Sequence, residues 1–456
     1  MWLGVLSLSG CVITPEFSPT NEQKSLIPDQ WLAPNTITEQ RSEDLSVWWE
    51  QWNDPRLSEL IKASQQYNTD IRIAQGNLRV AQATLAIAEA GLFPSLSGSS
   101  DGQRTHRYGS GSNSFGIGLN GTWTIDAGGR YAAMKAATFD LLSTEATLAD
   151  VQTEIASQVA NAYINLKLFQ KQLEVARQNL ETQKESLQIA DWRYKAGLVD
   201  STDVDQARTS YEQTRSIIPE YLSSIQENRN LLATLTNKKP EDIIVDDFVS
   251  MPVAPQNLAL SIPGETLRKR PSVRQAEAKV KSAMAKHTQA RSALYPSLSI
   301  GGNFGLSATT VGSLGEVGTH TSSIFGSLNL PIFNAGELRA QVEAKDAQVA
   351  IANAQYEASL LSAVKDVEDA LNSIWSTQAK FKSLTLAVNS ARSAALSAQQ
   401  NYKAGLQDFT VVLATQKTLL SVEESYASVQ AQIAKSYVAL YRALGGGWVP
   451  SEGFEK

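Results

Sequence analysis

The chain says the same thing twice, a long way apart. Residues 193–200 read RYKAGLVD and residues 401–408 read NYKAGLQD, a shift of 402 − 194 = 208 positions. DAGGR at 126–130 meets NAGELR at 334–339 on that shift, and FPSLS at 93–97 meets YPSLS at 295–299 on a shift of 296 − 94 = 202. Solenoid repeats have periods of ~20–50 residues and touch only their neighbours. A period this long instead requires two large halves of equal construction.

Each half contains a helix-coding stretch of unusual length. No Gly or Pro interrupts 131–196 or 337–404. A seam of Ile155, Val159, Ala162, Leu166 and onward to Ala190 and Tyr194 steps by four and three without a slip. Adding 208 lands on Ala363, Val367, Ala370, Ile374 and onward to Ala398 and Tyr402 in the same register. A sustained 3.5-residue repeat implies a left-handed supercoil, and at 1.5 Å per residue each helix would be roughly 100 Å long. Each stretch ends at Lys-Ala-Gly, where Gly197 and Gly405 suit a left-handed C-cap. A second helix then returns over 203–236 and 408–444, so each half closes as an antiparallel hairpin with YKAGL at its tip. Pro219 is expected to kink the first return helix.

Ahead of each long helix the period changes to two. Phe115, Ile117, Leu119, Trp123 and Ile125 alternate with Gly116, Gly118, Asn120, Thr122 and Thr124, which predicts a strand with one apolar and one polar face. The Gly/Ser/charged stretch 101–113 reads as a loop, giving a hairpin of 95–105 and 114–126. In the second half, Leu298, Ile300, Phe304 and Leu306 alternate likewise, with a loop at 307–321 and a strand at 322–333. Phe93, Trp123, Tyr295 and Phe333 cluster at the strand bases. In a membrane barrel they would form a headgroup belt, and in a soluble sheet ordinary core.

Charge and cysteine usage narrow the setting. With 40 Lys and Arg against 46 Asp and Glu, the net charge of −6 argues against nucleic acid, which needs a basic face. No run of about 18 apolar residues occurs after residue 11, so no transmembrane helix is expected; a barrel remains open, because its signal per strand is weak. The single cysteine, Cys11, ends an apolar stretch as Leu8-Ser9-Gly10-Cys11. This resembles the lipobox of bacterial lipoproteins, in which the cysteine becomes the acylated, palmitate-bearing N-terminus; the bland reading is a chance cysteine in an apolar leader. Val12 rather than Asp comes next, as in lipoproteins sorted to the outer membrane.

These pieces together resemble the TolC-like outer-membrane efflux proteins, nearest their lipoprotein branch. The matching elements are Cys11, Trp48-Trp49 with Asp54-Pro55, Phe93-Pro94-Ser95-Leu96, Trp123 with Asp126 and Gly129-Arg130, Tyr295-Pro296-Ser297-Leu298, Pro331-Ile332-Phe333, both Tyr-Lys-Ala-Gly tips, and Leu444-Gly445-Gly446-Gly447-Trp448. The resemblance implies a mainly α fold with a transmembrane β-barrel. Its unit is a strand hairpin plus a long helical hairpin, duplicated, and three copies build a twelve-stranded barrel on an α-helical tunnel. It implies a homotrimer in the outer membrane, partnered by a periplasmic adaptor and an inner-membrane transporter, serving as a passive duct for multidrug or other small-molecule export. The expected boundaries are a signal segment 1–10, a lipid-anchored arm 11–47, a first repeat 48–237 (strands about 95–126, long helices 130–236), a linker 238–265, a second repeat 266–448 (strands about 297–333, long helices 336–444) and a tail 449–456. The rival reading is a periplasmic adaptor or coiled-coil scaffold, which would need only one helical hairpin and no duplicated amphipathic strands.

Nothing in the sequence suggests catalysis. Three histidines, one cysteine and four methionines make no metal-ligand cluster, and neither a phosphate loop nor a nucleophile elbow occurs, so no cofactor or enzyme activity is expected. The candidate functional residues are at the tips: Tyr194, Gly197, Asp200, Asp203 and Asp205 in the first half, and Tyr402, Gly405, Asp408, Phe409 and Thr410 in the second. In the family, gate carboxylates lie six and nine positions after the second tip glycine, but here those positions hold Val411 and Ala414. Two readings of the tip aspartates stand side by side. They crowd negative charge at a pore and favour cations, or they are helix caps, as Asp203 and Asp408 suggest.

Overall fold

The computed structural model describes residues 17–32, 45–244, 250–253 and 267–448. Cys11, the tail and much of the arm and linker lie outside the described residues. The elements in order are α1 (Pro55–Tyr67), α2 (Thr69–Ala90), β1 (Ser95–Arg107), β2 (Ser110–Ile125), α3 (Gly129–Lys195), α4 (Ser201–Thr236), α5 (Pro271–Ser292), β3 (Ser297–Ala308), β4 (His320–Asn329), α6 (Glu337–Lys403) and α7 (Phe409–Ala443). The two long helices, α3 and α6, are 67 residues each. Pro219 does not interrupt α4, which runs unbroken over 36 residues. The contacts divide the chain into two compact units, each interleaving both repeats.

The first unit, Met1–Lys24, Gly76–Ala146 and Arg274–Ser359, holds the sheet. Its order is β1-β2-β3-β4, with every neighbouring pair antiparallel. The central ladder, from Phe115↔Ala308 to Ile125↔Leu298, joins the two repeats. Residues directly opposed in a ladder share a face. One face therefore carries Leu96, Phe115, Ile117, Leu119, Trp123, Leu298, Ile300, Phe304 and Ile324. The other carries hydrogen-bonded polar pairs: Asn120 Nδ2 donates to Ser99 Oγ at 2.9 Å, and the hydroxyls of Thr124 and Ser299 lie 3.1 Å apart. Phe325 is an exception on the polar face. It lies over Gly301, where a Cβ would fall 2.3 Å from its ring, so only glycine fits opposite it.

The strands run further than the sequence predicts. Instead of a loop over 101–113, the ladder continues to Arg107↔Ser110 and turns on Tyr108 and Gly109 alone, with φ of 46° and 85°. Positive φ at both central residues is the primed turn that fits strand twist. Side-chain polarity marks this stretch as a loop, but a ladder satisfies backbone groups whatever the side chains are. The second loop, 309–319, is close to expectation, whereas β4 ends at Asn329 rather than 333.

The strand bases are fastened to the helices. Trp123 Nε1 donates to the Leu92 carbonyl at 3.0 Å, Asp126 accepts from the Arg130 backbone N–H at 3.0 Å, and Arg130 Nη1 donates to the Gly91 carbonyl at 2.5 Å. The arm is tied down in the same unit. Phe17 meets Tyr356 edge-on at 5.6 Å, and Gln23 Nε2 donates to Glu357 at 3.2 Å.

The second unit, Ser25–Gln75, Thr147–Val273 and Leu360–Lys456, is helical. The seams predicted for α3 and α6 are its buried stripes: Ile155, Val159, Ala162, Leu166, Val367, Ala370 and Ile374 are all core. Trp48 anchors this core, stacked on Tyr441 at 4.8 Å and flanked edge-on by Trp49 and Trp52. Asp54 caps α1 by accepting from the Arg56 and Leu57 backbone N–H groups, both at 3.0 Å, and accepts from Tyr163 Oη at 2.9 Å. The Asp-Pro pair thus starts the helix as its sequence implies.

Candidate functional site

Both tips are built by the same backbone device. Leu198 N–H donates to the Arg193 carbonyl at 2.9 Å and Gly197 N–H to the Tyr194 carbonyl; Leu406 N–H donates to Asn401 at 2.8 Å and Gly405 N–H to Tyr402. This is the Schellman arrangement, and it needs a left-handed residue at the penultimate position. Gly197 (φ 71°) and Gly405 (φ 76°) supply it, as the sequence predicts. The leucine after each glycine commonly packs back on its own helix in this motif. Here Leu198 is 67 % and Leu406 79 % exposed.

The tips differ in their side chains. Tyr402 is buried against Phe409 at 5.1 Å, in a cluster with Ala190, Val204, Ala398 and Val412. Tyr194, its twin by sequence, is exposed. The preceding position differs as well, Arg193 in one repeat and Asn401 in the other. Arg193 Nη1 donates to the Tyr402 carbonyl at 2.7 Å, and its guanidinium lies 4.5 Å from the centre of the Tyr402 ring. One side chain thereby ties the end of α3 to the end of α6. Sequence reasoning passed over Arg193; the signal was the one charged difference just before an otherwise shared tip.

The aspartates divide by role. Asp200 is the cap of α4, accepting from the Thr202 backbone N–H, and hydrogen bonds from the Ser201 side chain and then the Thr202 and Ser201 backbone hold its pKa below the usual range. Asp203, expected to cap, instead sits within the first turn of α4. Burial raises its pKa, Arg193 pulls it down, and Asp408 and Asp200 push it up again. Asp408 takes the N-cap position of α7, as expected, although its side chain makes no capping hydrogen bond. Asp205, just past the first turn of α4, and Thr410, on the first turn of α7, are exposed. Beside the tip, a groove of about 770 Å³ runs between α4 and α7; Ile217, Leu413 and Leu420 line it with Asp205, Lys417 and Glu424. Tyr221 Oη donates to Glu424 at 2.5 Å across it, and burial together with that bond raises the tyrosine pKa well above its ordinary value.

An amphipathic strand-hairpin sheet, together with paired long helical hairpins closed by matched tips, defines a class of outer-membrane channel proteins. The sequence matches the family described as outer membrane efflux protein over residues 60–238 and 262–446, and the chain belongs to that family. It is 27 % identical to a probable efflux pump outer membrane protein, TtgC, of Pseudomonas putida, over 98 % of this chain and 94 % of the relative. It is 28 % identical to the pyoverdine export outer membrane protein OpmQ of the same species, over 97 % of this chain and 96 % of the relative. Among solved structures, the outer-membrane channel OprN superposes with a TM-score of 0.88 at 29 % identity, covering 96 % of this chain and all of that one. The Campylobacter jejuni CmeC channel superposes at 0.87 with 23 % identity, covering 96 % and 94 %, and shows the shared fold. The protein is thus an outer-membrane efflux channel, and the adaptor or scaffold reading lapses.

Proposed function

We propose that the protein is the passive exit duct of a tripartite efflux system, working as a homotrimer. The observation that carries the trimer is the sheet. Four strands leave β1 and β4 as edges, and closed barrels need about eight strands or more. Three copies give 3 × 4 = 12 strands, with the apolar face toward lipid and the polar face lining a water-filled lumen. The helical hairpins form the periplasmic conduit, and the YKAGL tips are its narrow end. Exposed Leu198 and Leu406, with the groove between α4 and α7, support the tips as the docking place for a periplasmic adaptor that links the duct to an inner-membrane transporter. Arg193 holds the two tips of one chain together. Asp200, Asp203, Asp205 and Asp408, repeated three times as 4 × 3 = 12 carboxylates, make the end cation-preferring. The protein has no catalytic role and takes no cofactor in this reading.

Cys11 is the lipid anchor in this reading. It is the only cysteine, it closes Leu-Ser-Gly-Cys, and the arm behind it is tied to α6 through Phe17 and Gln23. Fractionated membranes run on gels with and without heating should show a heat-sensitive trimer in the outer membrane, and Cys11→Ser should abolish acyl labelling while the trimer persists. A monomer at all temperatures would refute the shared barrel, and normal labelling of the variant would refute the anchor.

A further inference from the structure

We infer that Arg104 and His106, on the outer rim of the sheet, form a binding site for the phosphate of an anionic outer-leaflet lipid. The inference rests on the reading of the apolar face as lipid-facing. On that face, the apolar residues of β2 run from Phe115 to Ile125, a span of 125 − 115 = 10 residues. At ~3.4 Å per residue and a tilt of ~45°, that is ~24 Å of height, which matches the ~25 Å apolar band of a membrane barrel. The band is therefore already full at Phe115, and side chains beyond it on the same face stand at headgroup level.

The side chains beyond it are basic. Gly102 lies opposite Phe115, so Arg104, opposite Asn113, and His106, opposite Gly111, continue the same face toward the turn. This is the strand end away from Ser95 and Ile125, where the helices α2 and α3 attach, and so it is the outer end. Both side chains are exposed. The His106 ring lies across Gly111, where a Cβ would come within 3.0 Å of it, so glycine lets the imidazole lie flat on the outer surface. His320, opposite Leu306, adds a third nitrogen base to this face on β4.

The strand's charges are sorted by side. Asp101 is the one carboxylate in the four strands, and it faces the polar side over Gly116. Arg107 is on that side too and already has a partner. The lipid-side rim of the strands is left with bases and no acid, which complements a lipid phosphate. A guanidinium binds phosphate through paired N–H donors, and a cation at the membrane surface strengthens attachment to anionic lipid.

The test uses the full-length protein in phosphatidylcholine nanodiscs doped with diphosphorylated lipid A, with retained lipid counted by native mass spectrometry. The wild type should hold the phosphorylated lipid about fivefold more tightly than Arg104→Gln, the size expected for one interfacial cation, and Arg107→Gln should behave as the wild type. Equal retention by Arg104→Gln, an equal loss in Arg107→Gln, equal retention of dephosphorylated lipid A, or displacement by inorganic phosphate would each overturn the proposal. The extra quenching by brominated acyl chains of a Phe115→Trp variant over the wild type, whose Trp123 is on the same face, reads the lipid face separately. Quenching without phosphate preference overturns this site alone, and absence of the extra quenching overturns the lipid-facing reading beneath it.

Discussion

Trp48→Ala is expected to cost about 3–5 kcal/mol, the range for removing a buried aromatic that its surroundings cannot refill. The side chain is 2 % exposed, and it stacks on Tyr441 with an interplanar angle of 11°. It also packs edge-on against Trp49 and Trp52, and a Cβ at Gly447 would meet its Nε1, so the void would be walled by rigid rings and a close backbone. Because Trp48 belongs to the first repeat and Tyr441 to the second, the loss should loosen the packing between repeats. Thermal unfolding followed by circular dichroism reads this directly. Trp48→Phe should recover most of the difference by keeping a ring on Tyr441. A shift equivalent to less than about 1 kcal/mol for the alanine variant would mean that the tryptophan cluster is not a keystone of this core.

Leu119→Arg should cost about 2–4 kcal/mol in membrane-inserted stability, the penalty for a cation near the bilayer midplane. Leu119 lies mid-way along the apolar band, opposite Phe304, and is 49 % exposed in the single chain. Asn120→Arg is the matched control, because one step along a strand reverses the face. It should leave trimer yield near that of the wild type, since Asn120 shares the polar face with Ser99. The opposite order of damage would reverse the assignment of the two faces. Both arginines being tolerated would mean that neither face meets lipid.

Much of this architecture can be read from the residues because it is periodic. The 3.5-residue seams of α3 and α6 and the two-residue alternation of β2 and β3 are each set by burial, and burial is what hydrophobic patterning encodes. The tip glycines are equally legible, because the Schellman cap demands positive φ. The hairpin turn was not legible: 101–113 has loop composition, yet its ladder runs to Arg107 and Ser110. Nor was the asymmetry of the tips. Two nearly identical octapeptides place one tyrosine in an apolar cluster with Phe409, Val204 and Ala190 and the other at the surface, and Arg193 reaches across to the buried one. That contact joins residues 209 positions apart, and no local rule anticipates it. Asp203 misled because which aspartate caps is decided by where the helix begins, and α4 begins one residue after Asp200. Asp408 does take the N-cap position of α7, without a capping hydrogen bond from its side chain.

A water-filled duct, narrowed at the tip that Arg193 holds together, is the central claim. Single-channel recording of the protein reconstituted in planar bilayers tests it most directly, with the wild type beside Arg193→Gln. Small, cation-preferring unitary currents are predicted for the wild type and larger ones for the variant, since releasing the Tyr402 carbonyl and ring removes the polar tie between the tips and leaves only their apolar packing. Insertion without unitary current in either form would contradict a duct. Identical currents from the two would place the constriction somewhere other than at this clamp.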